Sequence, residues 1–407
     1  MSDFFQNGMI TTLHNLVDRS VEDMEAELHQ FSQRNPMTLI LPSLYSELEG
    51  PALSGIVKKL KEATYINQIV IGLDRANKKQ FEHARCFFDE LPQDKRILWN
   101  DGPRLKSLHN ELVEYGLAPT EPGKGRNVWY CIGFVLAANN ARAVALHDCD
   151  ILTYERDIPA RLFYPVTNPA FGYEFCKGYY SRIHEQRLSG RTTRLFVTPL
   201  LRSFMKMIGH TDFLMFMDSF RYPLAGEFSM RTDILSSMRM PSDWGLEVGI
   251  LSEVFRNTSP RRVCQVDISD NYDHKHQEVG SDKTAGLSRM SYEIAKSIIR
   301  RLGTEGTPMG AAFFRSLKAT YYREALDMLS RYAADARINN LKIDRHSEEK
   351  TIELFSQNIM LAGESYLEQS KDIPLIPNWN RISSAVPDFP ERLKAAVEAD
   401  NSNFLCD

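Results

Sequence analysis

Short, almost continuous apolar runs recur between residues 37 and 147, and segments with a helical pattern separate them. The apolar runs are 37–42, 68–73, 96–100 and 143–147. Runs of this length without polar alternation are typical of strands that are buried on both faces. The helical segments are 52–63, 78–90 and 127–140. This alternation predicts the α/β class, with a mostly parallel sheet sandwiched by helices.

The pattern changes on either side of this region. Apolar residues follow a helical period over 1–36, which predicts an N-terminal helical segment, and again over 281–407. Three prolines, Pro374, Pro377 and Pro387, mark a non-helical connector in the second stretch. We therefore divide the chain into a helical segment (1–36), an α/β domain (37–280) and a helical C-terminal extension (281–407). Such an extension either locks the core or forms a dimer face, and we expect a homodimer.

Composition and charge exclude several classes of protein. Hydrophobic residues make up 43% of the chain and charged residues 25%, as in globular proteins. The net charge of -4 argues against a nucleic-acid partner, and the longest apolar stretch, 131–138, is too short to span a membrane. The first eight residues lack the basic region of a secretory signal, and the six cysteines form no CxxC pair. We expect a soluble cytoplasmic protein with no nucleic-acid or membrane partner.

An acidic pair is the sharpest local feature of the sequence. Asp148-Cys149-Asp150 comes directly after the apolar run at 143–147. Ligands of parallel sheets bind at the carboxyl ends of the strands, and two carboxylates at this spacing can share one Mg²⁺ or Mn²⁺ ion. The alternative interpretation is an aspartate turn at the end of a strand. We favour a metal site because the surrounding residues are apolar.

Two further stretches suit anionic ligands. Gly123-Lys124-Gly125-Arg126 precedes the helix that leads into the fourth apolar run, where backbone N–H groups and basic side chains can hold a phosphate. The alternative is a solvated basic turn. Ser189-Gly190-Arg191-Thr192-Thr193-Arg194 offers guanidinium and hydroxyl donors for a carboxylate or phosphate, or a threonine helix cap.

Three other residues are candidates for chemistry. Glu227 ends the apolar turn Tyr222-Pro-Leu-Ala-Gly-Glu227, where a charge needs a partner. Glu247 heads a predicted helix, and stabilisation of the helix end explains it equally well. His274, in Asp273-His274-Lys275-His276, is a candidate metal ligand, although a single surface histidine rarely binds a metal.

Taken in order, these stretches resemble the glucosyl-3-phosphoglycerate synthases, which are retaining glycosyltransferases of the GT-A fold. The most telling match is Pro-Leu-Ala-Gly-Glu227. The matching stretches lie at 41–47, 123–125, 148–150, 177–182, 190–193, 223–227, 245–249 and around His274, and cover roughly residues 37–280. The resemblance implies a GT-A domain over 37–280.

The resemblance also implies substrates, a cofactor and site residues. The donor would be a nucleotide sugar, usually UDP-glucose, the acceptor 3-phosphoglycerate or a similar small acid, and the cofactor Mg²⁺ or Mn²⁺. Glu227 would lie near the reacting carbon, and Asp150 and His274 would bind the metal. The donor would contact Pro42, Ser43, Leu44, Glu47, Asp74, Lys124, Asp148 and Cys149. The acceptor would contact Gly190, Arg191, Thr192, Thr193 and His276.

The sequence departs from the family pattern at three places. Leu44-Tyr-Ser-Glu47 and Asp74-Arg-Ala-Asn77 follow the first two predicted strands, which leaves GDP-mannose, GDP-glucose and ADP-glucose open as donors. His274-Lys-His276 replaces a His-x-Asn pattern and leaves the acceptor open.

Two rival functions are a sugar-phosphate nucleotidyltransferase and a nucleotide-sugar sensor without turnover. The first rival usually has a glycine-rich basic loop after its first strand, whereas this chain has no glycine there until Gly50. The acidic pair, His274 and Glu227 argue against the sensor.

Overall fold

The structure is a computed structural model that describes residues 6, 8–17, 19–120, 122–273, 286–368 and 375–402. Its strands are β1 (Thr11–Leu13), β2 (Met37–Leu44), β3 (Gln68–Asp74), β4 (Asp94–Trp99), β5 (Ala143–Leu146), β6 (Phe175–Tyr180), β7 (Ile183–His184), β8 (Arg187–Leu188), β9 (Phe228–Arg231), β10 (Met240–Pro241), β11 (Val263–Ser269) and β12 (Leu375–Ile376).

The helices lie between and after these strands. They are α1 (Val21–Ser32), α2 (Pro51–Leu60), α3 (Lys78–Asp89), α4 (Pro103–Glu114), α5 (Lys124–Ala138), α6 (Asp157–Thr167), α7 (Thr198–Ile208), α8 (Asp212–Asp218), α9 (Thr232–Leu235), α10 (Leu246–Asn257), α11 (Gly286–Thr304), α12 (Ala311–Ile338), α13 (Arg345–Glu368), α14 (Trp379–Ala385) and α15 (Phe389–Asn401). Within the described residues, no helix combines the length and apolar character needed to cross a membrane.

An eight-stranded sheet forms the centre of the molecule, in the order β1-β11-β6-β9-β5-β2-β3-β4. The four strands predicted from the apolar runs are β2, β3, β4 and β5, and they pair in parallel. Strand β9 is antiparallel to both β5 and β6. The predicted α/β class and mostly parallel sheet are confirmed, whereas β9 was not predicted, because its four residues give no clear periodic pattern.

Each face of the sheet contacts its own apolar layer. Successive side chains of a strand point to opposite faces, so Ile40 packs into one layer and Leu39 and Leu41 into the other. Helices α1, α2, α3 and α6 cover the face of Leu39, and α4, α5 and most of the C-terminal helices cover the opposite face. Both faces of the sheet are therefore buried, which explains why the sequences of its central strands are continuous apolar runs.

Two predictions at the ends of the chain were wrong in part. Within the predicted N-terminal helical segment, Thr11–Leu13 forms the edge strand β1, paired in parallel with β11, and α1 begins only after the cap Ser20. The helical spacing misled because Leu16 and Val17 are 57% and 73% exposed and form no buried face. In the predicted connector, β12 and α14 form, with Asn378 capping α14.

The C-terminal helices share the core of the α/β part. The ring of Trp379, in α14, stacks on that of Trp129, in α5, with centroids 4.5 Å apart. A side chain at Gly133 would collide with the Trp379 ring, so glycine permits this close packing. The domain boundaries at 36/37 and 280/281 remain predictions, as does the homodimer.

Candidate active site

The carboxyl ends of β2, β3 and β5 bring the predicted donor-binding residues to one edge of the sheet. Pro42, Ser43 and Leu44 form the end of β2, and a single 3₁₀ turn (Tyr45–Glu47) follows. Glu47 folds back on this strand end: its Oε2 accepts a hydrogen bond from the Leu44 amide at 2.9 Å and lies 3.1 Å from the Ser43 hydroxyl. The turn therefore fixes the Glu47 carboxylate at the edge.

Asp148 follows β5 and pairs with a lysine from the neighbouring helix. The Lys124 Nζ lies 2.6 Å from Oδ1 of Asp148 and 3.0 Å from Oε1 of Glu247. Burial disfavours the lysine charge, but these two carboxylates outweigh burial and hold the pKa of Lys124 well above its usual range. Glu247 thus has a partner at this site, beyond the helix-end role that the sequence allowed.

The glycines around Lys124 have a steric role. A Cβ atom at Gly123 would collide with the carbonyl oxygen of Ser242, and one at Gly125 with that of Pro241. Only glycine lets the start of α5 pass this close to the neighbouring backbone. The Gly-Lys-Gly pattern therefore sets the position from which Lys124 reaches Asp148.

Glu227 is fully buried beside this ion pair. Its Oε1 accepts a hydrogen bond from the Tyr272 hydroxyl at 2.6 Å, and its Oε2 accepts one from Tyr180 at 2.9 Å. The amide of Asp148 lies 3.5 Å from Oε1. Burial, followed by the Asp148 charge, raises the pKa of Glu227 to about 7, against the opposing effect of the tyrosines and Lys124. A carboxylate at this position is held in one orientation.

Two aromatic rings support that orientation. Tyr180 and Tyr272 stack in parallel with their centroids 3.7 Å apart, and both hydroxyls point to Glu227. The Tyr222 ring lies 4.9 Å from that of Tyr180, and its hydroxyl accepts a hydrogen bond from Arg182 at 3.0 Å. The rings connect Glu227 to the loop that follows β8.

The pKa values of Asp150 and Glu47 are raised, in part by neighbouring carboxylates. Burial and the neighbouring Asp148 raise the pKa of Asp150 to about 6, although Lys124 and Arg182 oppose the shift. Burial also raises the pKa of Glu47 to about 7; the Leu44 amide opposes the shift and the Asp150 charge adds to it. Carboxylate oxygens that repel one another suit a hard divalent cation such as Mg²⁺ or Mn²⁺. The donor chemistry of the edge therefore fits the predicted metal.

The predicted metal site is only partly within the described residues. His274, a predicted metal ligand, and His276, a predicted acceptor contact, both lie outside them. In the ranges that the structure describes, no three His, Cys, Asp or Glu side chains form a ready metal-binding group. Asp150 as a metal ligand remains a prediction.

The predicted acceptor loop lies next to Tyr222. Gly190 has a positive φ of 74°, and a Cβ atom there would come within 3.3 Å of the Tyr222 hydroxyl. A segment of π-helix (Thr192–Val197) follows and continues into α7, so neither Thr192 nor Thr193 is the helix cap that the sequence allowed. The side chain of Arg191 is 34% exposed, whereas both threonines are buried. Arg191 is therefore the partly exposed cation of this loop that an anion can reach.

Two of the predicted donor-binding residues, Asp74 and Cys149, are almost fully buried. Asp74, at the end of β3, is 7% exposed, and its carboxylate accepts a hydrogen bond from the Asn100 side chain at 2.8 Å; burial raises its pKa. Cys149 is 2% exposed and packs in the apolar layer below the edge. Both remain predicted donor contacts.

The site also contains residues to which the sequence assigned no role. Tyr180, Arg182 and Tyr272 surround Glu227 and the acceptor loop, as described above. Lys177, on β6, is 1% exposed; its Nζ has no hydrogen-bond partner within the described part of the chain, and burial lowers its pKa to about 8. The sequence did contain a signal for these residues, because a lysine and two adjacent tyrosines are unusual inside the buried strand 175–180.

Comparison with known proteins places the chain in a family. It is 45% identical, over 99% of its length and 100% of the relative, to glucosyl-3-phosphoglycerate synthase of Persephonella marina. It is 39% identical to that of Methanococcoides burtonii, over 99% of both chains. The chain belongs to the glucosyl-3-phosphoglycerate synthase family. The resemblance inferred from the motifs is therefore confirmed, although no family model matches the chain.

Solved structures share the fold at low sequence identity. Mannosyl-3-phosphoglycerate synthase from Rubrobacter xylanophilus aligns with a TM-score of 0.53 at 21% identity, over 70% of this chain and 80% of that one. Glucosyl-3-phosphoglycerate synthase from Mycobacterium tuberculosis, in complex with Mn²⁺, UDP-glucose and phosphoglyceric acid, aligns with a TM-score of 0.52 at 17% identity, over 74% and 89%. The predicted GT-A fold is confirmed.

Gly226 provides a test of the arrangement around Asp148. A Cβ atom at position 226 would collide with the Asp148 carboxylate, so Gly226→Ala should force Asp148 away from Lys124. Because misplacement of this kind costs on the order of 100-fold in rate, we expect turnover to fall by roughly that factor with little change in melting temperature. Steady-state kinetics and a thermal melt measure both.

Gly55→Ala is the matched control. Gly55 lies inside α2, where a Cβ atom would meet nothing within 4 Å. This variant should keep full activity and gain slightly in stability, since alanine is favoured over glycine in helices. Full activity in Gly226→Ala would mean that the contact with Asp148 does not set the site geometry.

Proposed function

We propose that this protein transfers glucose from a nucleotide sugar, UDP-glucose in the first instance, to 3-phosphoglycerate, with retention of the α configuration. Membership of the glucosyl-3-phosphoglycerate synthase family supports the reaction. The observation that carries the proposal is the contact of Asp148 with both Lys124 and Glu227, at 2.6 and 3.5 Å. This contact places the Lys124 ammonium group, which suits a diphosphate, near the buried Glu227 carboxylate, which suits the sugar.

The donor would lie along the edge formed by the ends of β2, β3 and β5. Pro42, Ser43, Leu44 and Glu47 would contact the nucleoside, with Asp74 at the end of the next strand. Lys124 would neutralise the charge that develops on the departing nucleoside diphosphate. Because Asp148 and Glu247 keep this lysine protonated, the positive charge is in place before the donor binds.

A divalent cation is the proposed cofactor. The Mycobacterium tuberculosis relative has been solved with Mn²⁺ and with Mg²⁺, in each case together with UDP. In this chain Asp150 and His274 would bind the ion, with Asp148 near the ribose or the metal. The bound ion would supply further neutralisation of the diphosphate.

Glu227 is the proposed catalytic carboxylate. Both of its oxygens accept hydrogen bonds from tyrosine hydroxyls, which fixes its direction. We assign to it the orientation of the sugar or the stabilisation of positive charge at the anomeric carbon. A preorganised charge of this kind acts strongly in a site without water.

The acceptor would bind at the loop that begins at Gly190. The Arg191 guanidinium matches the geometry of a carboxylate or phosphate. Thr192, Thr193 and His276 complete the proposed set. The Tyr222 ring lies between this loop and the rings that hold Glu227, so the acceptor would approach the sugar from that side.

We also propose a cytoplasmic homodimer. Cys131, Cys149, Cys176 and Cys264 are buried free thiols, which suits a reducing compartment. The surface of the C-terminal helices has apolar side chains, among them Ile338 at 84% exposure, which a second copy could cover. Sedimentation of the purified protein tests the assembly.

The transfer reaction is tested directly with purified protein. Incubation with UDP-glucose, 3-phosphoglycerate and Mg²⁺ or Mn²⁺ should release UDP only when the acceptor is present, and the product should carry an α-glucosidic linkage by NMR. Parallel reactions with ADP-glucose, GDP-glucose and GDP-mannose identify the preferred donor. Release of pyrophosphate would indicate a nucleotidyltransferase, and donor binding without product would indicate a sensor.

Replacement of Glu227 tests its role. Glu227→Gln keeps the shape and removes the charge, so we expect turnover to fall by on the order of 100-fold or more while the affinity for UDP changes far less. Kinetics and calorimetric titration with UDP separate the two. Glu253→Gln is the control, because Glu253 is 5% exposed and accepts a hydrogen bond from the Arg239 amide. Unchanged turnover in Glu227→Gln would remove this residue from the mechanism.

A further inference from the structure

The proposed acceptor loop is attached to the C-terminal helices through a buried ion pair. Glu348, near the start of α13, is 3% exposed, and the side chain of Arg194 is 8% exposed. The Nη2 and Nη1 atoms of Arg194 lie 2.7 and 3.4 Å from Oε1 and Oε2 of Glu348. The guanidinium and the carboxylate therefore meet through two hydrogen bonds, which fixes their relative orientation.

The same glutamate faces the proposed acceptor-binding arginine. The Nε of Arg191 lies 3.9 Å from Oε1 of Glu348, the oxygen that also accepts from Arg194. The Arg191 side chain is 34% exposed, so a ligand can contact it while the buried Glu348 carboxylate attracts the same guanidinium. One buried carboxylate is thus shared by a structural and a ligand-facing arginine.

Arg194 holds the loop together from within. Its Nε donates to the carbonyl of Ser189 at 2.9 Å, and its Nη2 lies 3.3 Å from that of Leu188. These carbonyls come before Gly190, so the arginine closes the loop around the glycine. The guanidinium also lies over the ring of Tyr332, 5.0 Å from its centroid, in α12.

The hairpin before the loop has a second attachment to the same region. The amide of Lys342, between α12 and α13, donates to the carbonyl of Gln186 at 2.7 Å. Thr192 lies against α11, with its hydroxyl 3.7 Å from the sulfur of Met290. The C-terminal region therefore contacts the segment 186–194 at several points. Among these contacts, Glu348 supplies the negatively charged side chain.

We propose that Glu348 is a positioning residue for the acceptor: by pairing with Arg194 and facing Arg191, it sets the loop conformation that binds 3-phosphoglycerate. The inference rests on the proposed function. A buried ion pair gives little net stability compared with apolar packing, so stability alone is a poor reason for this pair. Removing one charge leaves the other buried and uncompensated, and the loop must rearrange to solvate it.

The test is the effect of Glu348→Gln on the acceptor alone. Because a hydrogen bond to a charged group is lost, the KM for 3-phosphoglycerate should rise by about tenfold, with kcat and the affinity for UDP within about twofold of wild type. Arg194→Lys keeps the charge but loses the two-pronged contact, so it should shift the KM in the same direction. In the double variant the two effects should not add.

Glu353→Gln is the matched control, since Glu353 lies on the same helix with an exposed side chain and should leave the kinetics unchanged. An unchanged KM for the acceptor in Glu348→Gln, or an equal loss for donor and acceptor, would overturn the positioning role. If Glu348→Gln does not fold, Arg194→Lys tests the positioning role in its place, by the same comparison of the KM for the acceptor with kcat and the affinity for UDP. A wild-type protein that does not glucosylate 3-phosphoglycerate would refute the proposed function, and this inference would fall with it.

Discussion

The crowding of carboxylates at one edge of the sheet is the constraint on which the rest of the site depends. Asp148 lies at its centre, because it pairs with Lys124 and its amide lies 3.5 Å from Glu227; its charge also raises the pKa of both Glu227 and Asp150. Charges so close in a partly dry site repel one another strongly. The arrangement persists because strand ends, glycines and tyrosine hydroxyls fix each group. A cationic ligand would relieve the repulsion, which makes the edge a place to bind one.

Two separate parts of the chain meet around this edge. The strands that end at Leu44, Asp74 and Leu146 supply the proposed donor side. The proposed acceptor side is a loop that contacts α11, α12 and α13. This division agrees with a reaction in which two different substrates must meet, because each side can be tuned without disturbing the other. It also gives the C-terminal helices a role beyond covering the core.

The sequence predicted the central strands and the position of the acidic pair, because a periodic pattern or a motif was present there. Continuous apolar runs predicted β2 to β5, and Asp148-Cys149-Asp150 was correctly expected at a strand end. Strands β1 and β9 were missed because three or four residues give no period to detect. Glu348 was not predicted at all, since its contact with Arg194 joins residues far apart in the chain and no local motif marks it. The tyrosine partners of Glu227 were missed because their hydroxyls reach it from 47 and 45 residues away in the chain, although Tyr180 lies in a matching stretch.

The central claim is that the carboxylate edge binds one divalent cation together with the nucleotide, and binding of Mn²⁺ in the presence of UDP tests it most directly. Electron paramagnetic resonance reports free Mn²⁺, so a titration gives both stoichiometry and affinity. Asp157→Asn is the control, because Asp157 is also partly buried but lies at the start of α6. We expect one ion per chain in wild type and control, and a loss of affinity of at least about tenfold in Asp150→Asn and in His274→Ala. Wild-type affinity for Mn²⁺ in Asp150→Asn would contradict the account.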